Sequence, residues 1–218
     1  MSIHPSILSA DFANLQTELD SISNADAVHV DVMDNHFVPN LTIGLPVVKR
    51  LQEVSKLPLD VHLMITDADR WAPEYAELGV ASVTFHIEAA KDPITLAKRI
   101  RDIGSQVAVA IKPGTPLEKV LELLPAIDML LIMTVEPGFG GQSLILETVD
   151  KVSEAKSSIR SRNLEVIIQV DGGVTESNIA QLAERGADSF VAGSAVFNFE
   201  NRALQIEKLR QLSRAHQH

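Results

Sequence analysis

The sequence predicts an α/β fold, a single (β/α)8 barrel of the TIM type that takes residues 1–218 as one domain. Three observations carry this expectation. Short β-like runs recur about every 20 to 30 residues, stretches with helical apolar spacing lie between them, and several of those stretches end on a glycine just before the next strand. Eight such βα units in a chain of this length close a barrel, whereas an open doubly wound sheet normally uses fewer strands.

The first strand is expected over positions 4–8, followed by a helix in which Leu15, Leu19 and Ile22 share a face. The second covers positions 27–33, where Val28, Val30 and Val32 point one way and His29, Asp31 and Met33 the other. Positions 59–64 repeat that pattern, with Leu59, Val61 and Leu63 opposing Asp60, His62 and Met64. Strands four, five and six are expected over 81–86, 106–111 and 129–133. A helix then follows with Val149, Val152 and Ile159 on one side. The seventh strand covers 166–171, where Ile168 and Val170 oppose Gln169 and Asp171, and the eighth covers 189–193. Gly79, Gly104 and Gly186, and Asn24 in one place, stand where a left-handed helix C-cap is wanted. In a barrel the valine and leucine faces turn outward to the helices. His29, Asp31, His62 and Asp171 turn inward, near the C-terminal strand ends where barrel active sites lie.

Composition narrows the chemistry. With 218 residues and 45% hydrophobic content the chain can bury a large core. It has no cysteine, so any metal must be held by imidazole and carboxylate, and the expected compartment is the cytoplasm. There is no signal-peptide pattern and no apolar run long enough for a membrane span, so no membrane partner is expected. A formal net charge of −10 argues against a nucleic-acid partner. It does not argue against an anionic small molecule, because glycine-rich loops and helix N-termini bind phosphate through backbone N–H groups.

Two neutral imidazoles and two carboxylates, His29, Asp31, His62 and Asp171, form a set that one divalent ion (zinc, iron(II), manganese or cobalt) would accept. The ion would offset carboxylates that are costly to bury alone. Any one strand histidine taken singly reads as a hydrogen-bonded core residue, the four together do not, and His86 stands between the two readings. His4, His36, His216 and His218 are given no ligand role, the last pair reading as a frayed tail. Met33, Met64 and Met133 share a depth that suggests a soft ring under the metal site, excluding water.

Glycine-rich stretches follow the last three strands. They are "VEPGFGGQS" with Gly138, Gly140 and Gly141, "DGG" with Gly172 and Gly173, and "AGSAVF" with Gly193 and Ser194. Positive φ and close ligand approach are expected in the first, which is also long enough to act as a lid. Barrels commonly build a phosphate site from these loops, so the three together point to a phosphorylated substrate.

The motifs "PSILSADF" (5–12), "HVDVMDNHFVPNLTIG" (29–44), "DVHLM" (60–64), "MTVEPGFGGQ" (133–142), "VDGGV" (170–174) and "AGSAVF" (192–197) resemble the ribulose-phosphate 3-epimerases nearly end to end. The resemblance implies a barrel of the ribulose-phosphate-binding type and an enzyme that interconverts D-ribulose 5-phosphate and D-xylulose 5-phosphate. It also implies a homo-oligomer in the pentose phosphate pathway. It implies His29, Asp31, His62 and Asp171 as metal ligands, with Asp31 and Asp171 also the acid/base pair. Ser6 and His62 would lie near the substrate, the three methionines would floor the pocket, and Gly141, Gly173, Gly193 and Ser194 would be among the phosphate binders. The chain departs from the family at Asn35, where glycine is usual; asparagine tolerates positive φ, so the turn is expected to survive.

Epimerisation beside a ketone needs a base on one face and an acid on the other, passing through a 2,3-enediolate whose charge a divalent ion would stabilise. The same residues would serve a six-carbon ketose phosphate such as D-allulose 6-phosphate. Decarboxylases and aldol-type synthases of similar barrels carry Asp-x-Lys-x-x-Asp at strand three, and this chain has no lysine there. A Schiff-base aldolase would use Lys112, whose neighbours Pro113 and Gly114 suggest a surface turn instead. A barrel that only binds a phosphorylated ligand would not need two opposed carboxylates.

Overall fold

The computed structural model describes residues 1–215, so the tail expected at His216 and His218 lies outside the described residues. The strands are β1 (Ser2–Pro5), β2 (Val28–Met33), β3 (Leu59–Met64), β4 (Ser82–His86), β5 (Gln106–Ile111), β6 (Met129–Met133), β7 (Ile167–Asp171) and β8 (Ser189–Ala192). All pair in parallel in the order β1-β8-β7-β6-β5-β4-β3-β2. A parallel bridge between Ser6 and His29 nearly closes the sheet into the expected barrel.

Helices α1 (Leu15–Ser21), α2 (Leu45–Val54), α3 (Ala68–Ala76) and α4 (Pro93–Ile103) cover the first half of the barrel. Helices α5 (Glu118–Leu121), α6 (Glu147–Ser161), α7 (Ile179–Glu184), α8 (Ser194–Phe197) and α9 (Arg202–Arg214) cover the second. Among the described residues no helix is long and apolar enough to cross a membrane.

Side-chain alternation divides the core into two concentric layers. Outward residues such as Val30, Val61, Phe85, Val109, Ile132, Val170 and Phe190 merge with Leu19, Leu51, Ala72, Ile100, Val152 and Leu209 from the helices into one cluster. The inward layer is different in kind. On β5 and β6 it is apolar, with Ala110, Leu131 and Met133 packed on Val135. On β2, β3, β4 and β7 it carries buried His29, Asp31, Asp60, His62, Thr84, His86 and Gln169. The apolar half limits solvent access, and the polar half supplies chemistry.

The structure corrects two local expectations. The first strand runs over Ser2–Pro5 rather than positions 4–8, because Pro5 pairs with the last residue of β8 and Ser6 then caps a 3-10 turn over Ile7–Ser9. The Leu8 N–H donates to Ser6 Oγ at 3.2 Å, which satisfies a backbone group that a longer strand would have paired. Asn24 does not take positive φ, whereas Asn163 after α6 does, at 54°, beside the expected Gly79, Gly104 and Gly186. Asn35 keeps its turn at φ 58°, with its N–H donating to Asn40 O at 2.8 Å.

Candidate active site

Parallel pairing sets the site's layers. In β2 and β3, His29 lies opposite Asp60, Asp31 opposite His62, and Met33 opposite Met64. Inward-facing polar residues two apart on neighbouring strands therefore converge at successive depths, and β7 brings Asp171 to the same end of the barrel, in register with Met133.

Four side chains meet there. His29 Nε2 lies 3.5 Å from Asp31 Oδ1 and 3.7 Å from Asp171 Oδ2. His62 Nδ1 lies 3.4 Å from Asp31 Oδ1 and 3.3 Å from Asp171 Oδ2, and the two imidazole nitrogens are 3.3 Å apart. All four ligand atoms fall within 4.8 Å of one another. A tetrahedral ion with bonds of about 2.1 Å has ligand–ligand edges of about 3.4 Å, so the donor set fits a divalent cation in size as well as chemistry. Two carboxylates and two neutral imidazoles also balance its charge.

The electrostatics of the cluster call for positive charge at its centre. Burial penalises the Asp31 carboxylate, yet the adjoining His29 and His62 rings hold its pKa far below the usual range. Burial likewise opposes protonation of His29, and Asp31 and Asp60 overcome it to raise that ring well above an ordinary histidine. His62 is raised in the same way, against burial, by Asp171 and Asp31. A bound dication would take the place of these protons.

The ligating groups are themselves held. Ser6 Oγ donates to Asp31 Oδ2 at 2.5 Å, leaving Oδ1 to face the imidazoles. His29 Nδ1 lies 3.0 Å from Asp60 Oδ2, an oxygen that also accepts from Gln169 Nε2 at 2.8 Å, while Ser82 Oγ donates to Asp60 Oδ1 at 2.7 Å. This carboxylate–histidine contact orients the ring so that Nε2 points at the cluster. Asp60→Asn is expected to weaken divalent-metal binding about 10–100-fold, measured by competition with a chromogenic chelator.

The sequence placed Asp60 on the inward face but gave it no task. Its partner His29 identifies that task only once β2 and β3 are paired.

His86 resolves as a hydrogen-bonded neighbour rather than a fifth ligand. Its Nε2 lies 2.9 Å from His62 Nε2, and its Nδ1 lies 3.1 Å from Glu88 Oε2. Burial above all pushes His86 down to about 4, so the ring is neutral. Although burial works against its charge, Glu88 is held at about 2 by hydrogen bonds from His86, the Lys112 N–H and the Thr115 hydroxyl. His4 reaches Asp60 at 2.8 Å, and His36 lies against Asp34, so neither joins the cluster.

Above the cluster opens a cavity of about 350 Å³. Ser6, Asp31, Met33, Met64, Met133 and Asp171 are among the residues that line it. His29 and His62 are fully buried and lie behind that lining. Met33 and Met64 come two residues later along their strands than Asp31 and His62, so they wall the cavity on its mouth side. The expected ring under the metal site is corrected for these two, because the C-terminal strand ends face the opening and later residues lie further out, while Met133 is level with Asp171.

The cavity is also lined by every glycine of the three glycine-rich stretches, Gly138, Gly140, Gly141, Gly172, Gly173 and Gly193, together with Ser194. Gly138 and Gly141 take positive φ as expected, and Gly140 does not. No lysine or arginine lines this cavity among the described residues. Anion binding would fall to backbone N–H groups, and those of Gly193 and Ser194 precede the first hydrogen bond of α8, from Val196 N to Gly193 O. Lys112 lies outside the lining, its Nζ 3.7 Å above the Phe37 ring, which removes the basis for a Schiff-base role. Asn40 Nδ2 donates to Gly138 O at 2.8 Å, tying the β2–α2 loop to the glycine-rich loop after β6.

The chain matches the model of the Ribulose-phosphate 3 epimerase family over residues 2–197. It is similar to the ribulose-phosphate 3-epimerase of Mycobacterium bovis, with 51% identity over 209 residues covering 96% of this chain and 91% of the relative. The enzyme of the same name from Escherichia coli K12 is 43% identical over 211 residues, covering 95% and 94%. Among solved structures, KGPDC from Streptococcus mutans in complex with D-R5P gives a TM-score of 0.74 at 16% identity, covering 100% of this chain and 99% of that one. 3-Hexulose-6-phosphate synthase from Salmonella typhimurium gives 0.67 at 20% identity, covering 99% and 100%. At such identities these two structures bear on the fold alone, and they agree with the barrel.

Proposed function

The chain belongs to the ribulose-phosphate 3-epimerase family, and we propose that it interconverts D-ribulose 5-phosphate and D-xylulose 5-phosphate by inversion at C3, with Asp31 and Asp171 as the proton-transfer pair. The observation that carries this reading is the pairing of two carboxylates with two imidazoles, at spacings that suit one divalent ion, at the inner end of a glycine-rimmed cavity.

Asp31 and Asp171 rise from β2 and β7, three positions apart around the barrel in the order β7-β8-β1-β2. A sugar lying between them would present opposite faces of C3 to the two carboxylates. One takes the C3 proton, the electron pair passes into the carbonyl to give a 2,3-enediolate, and the other returns a proton to the opposite face. An ion held by His29, Asp31, His62 and Asp171 would act as a Lewis acid toward the developing negative charge. Ser6 would hold Asp31 Oδ2 in place during the transfer. Asp171 Oδ1 accepts no hydrogen bond among the described residues and is free to face substrate. Met33, Met64 and Met133 would exclude water from the planar intermediate while adapting to either epimer.

The phosphate would lie at the rim, held by the backbone of Gly141, Gly173, Gly193 and Ser194, with Gly138, Gly140 and Gly172 shaping the loops around it. A cavity of about 350 Å³ lies at the small end of the range for ligand pockets and suits a ligand the size of a sugar phosphate.

The test incubates protein loaded with zinc, iron(II) or manganese with D-ribulose 5-phosphate in D2O and follows product by NMR. Xylulose 5-phosphate carrying deuterium at C3, lost on chelation and restored by metal, is the expected result. Absence of both exchange and product with every metal would refute the assignment.

A further inference from the structure

His86 and Glu88 lie outside the four-residue cluster, and no step above uses them. Both are tied to it by hydrogen bonds whose polarity can be worked out. Glu88 is a carboxylate and can only accept, so the 3.1 Å contact with Oε2 requires the hydrogen on His86 Nδ1. A neutral imidazole has one N–H, which leaves His86 Nε2 as an acceptor. The 2.9 Å contact between the two rings then requires His62 Nε2 to donate. In the neutral ring His62 Nδ1 then keeps its lone pair for a cation, and it is this nitrogen that lies 3.3 Å from Asp171 Oδ2 and 3.4 Å from Asp31 Oδ1.

We propose that Glu88 is a positioning residue: acting through His86, it fixes the tautomer of His62 that offers Nδ1 to a divalent cation. The inference rests on the metal reading given above and deepens it. His29 offers Nε2 and is set directly by Asp60, whereas His62 offers Nδ1 and is set through one intervening ring. Glu88 in turn is anchored away from the cluster. Its Oε1 accepts from the Lys112 N–H at 2.9 Å and from the Thr115 hydroxyl, so only Oε2 is left for His86.

That anchoring makes Glu88→Gln informative. The two donors at Oε1 hold the amide oxygen, and the NH2 group then faces His86 Nδ1 as a donor. Every polarity in the chain reverses, and His62 Nδ1 acquires the hydrogen. Glu88→Ala imposes no polarity, so His62 is free to keep the competent tautomer.

Zinc affinity is measured by chelator competition without any sugar phosphate, and histidine tautomers by long-range 1H–15N spectra of metal-free protein at alkaline pH, above the raised titration of His62, where that ring is neutral. We expect wild type with His62 protonated on Nε2, Glu88→Gln with it protonated on Nδ1, and zinc affinity about 10–100-fold weaker in Glu88→Gln but clearly less reduced in Glu88→Ala. A packing role predicts the opposite ranking, since alanine removes more atoms. Wild type protonated on Nδ1, or Glu88→Gln binding zinc as wild type does, would overturn the inference. Should the alanine variant fail to fold, the spectra of wild type and Glu88→Gln decide alone. A wild type that binds no zinc would overturn the metal reading and this inference with it. Zinc binding with the expected tautomers but no epimerisation supports the relay and overturns only the substrate assignment.

Discussion

Asp171→Asn is expected to lower kcat for epimerisation by about 10²–10⁴-fold, assayed at saturating metal so that loss of a ligand is not mistaken for loss of a proton carrier. An amide cannot accept the C3 proton, and the cavity-facing oxygen of Asp171 has no substitute nearby. The side chain is 14% exposed and lies at the cavity wall, so the isosteric change leaves the packing intact. The sharper readout is isotope exchange in D2O. With Asp31 untouched, the epimer whose C3 hydrogen faces Asp31 should still exchange it, without inverting. The other epimer should be inert. Exchange of both epimers in Asp171→Asn, or inversion at the wild-type rate, would end the two-carboxylate reading.

Asp31 is not equivalent to Asp171. It is buried, and its Oδ2 is held by Ser6 while Oδ1 faces two imidazoles. Asp171 is held by the cluster on one oxygen only. Two like side chains thus occupy different surroundings, which is the condition under which one can act as acid while the other acts as base.

The barrel and the cluster were legible in the sequence for the same reason: strand side chains alternate, so parity along 28–33, 59–64 and 167–171 tells which residues face the axis. Parity assigned His29, Asp31, His62 and Asp171 to one compartment before any pairing was known. It fails where the strand ends. Glu88 lies in the short 3-10 turn Ile87–Ala89 after β4, where alternation no longer predicts direction, so its contact with His86 was invisible. The methionines show a second limit. All three face inward as expected, but depth along the axis depends on which strand end is the mouth: Met33 and Met64 lie on the mouth side of the ligands, and Met133 is level with Asp171. At Asn24 and Asn163 the residue type was the same and the backbone differed, because the end geometry of the preceding helix decides which takes the left-handed conformation.

Gly172→Ala is expected to destabilise the fold by several kcal/mol and to depress activity in whatever protein still folds. Gly172 follows Asp171 directly at the end of β7 and has φ 116°, a conformation that residues with a Cβ scarcely adopt. The strain of forcing one there is of order 1–3 kcal/mol. A Cβ would also meet Val135 Cγ2 at 2.3 Å and Cγ1 at 2.8 Å. Val135 is buried and packs with Met133, Leu131 and Ala110 in the apolar half of the barrel, so it has little room to retreat. Overpacking of this kind adds about 1–3 kcal/mol. For a chain of this size the two together correspond to a melting temperature lower by roughly 5–20 °C. The two contributions separate by experiment. Adding Val135→Ala to Gly172→Ala should recover the part due to collision and none of the part due to φ, so the double variant should melt between Gly172→Ala and wild type, after allowing for the cavity that Val135→Ala makes alone. Activity should recover less than stability, because the backbone that aims Asp171 remains displaced. If Gly172→Ala melted with wild type and kept full kcat, the tight turn would not be what places the Asp171 carboxylate, and its position would have to be credited to the imidazoles that face it.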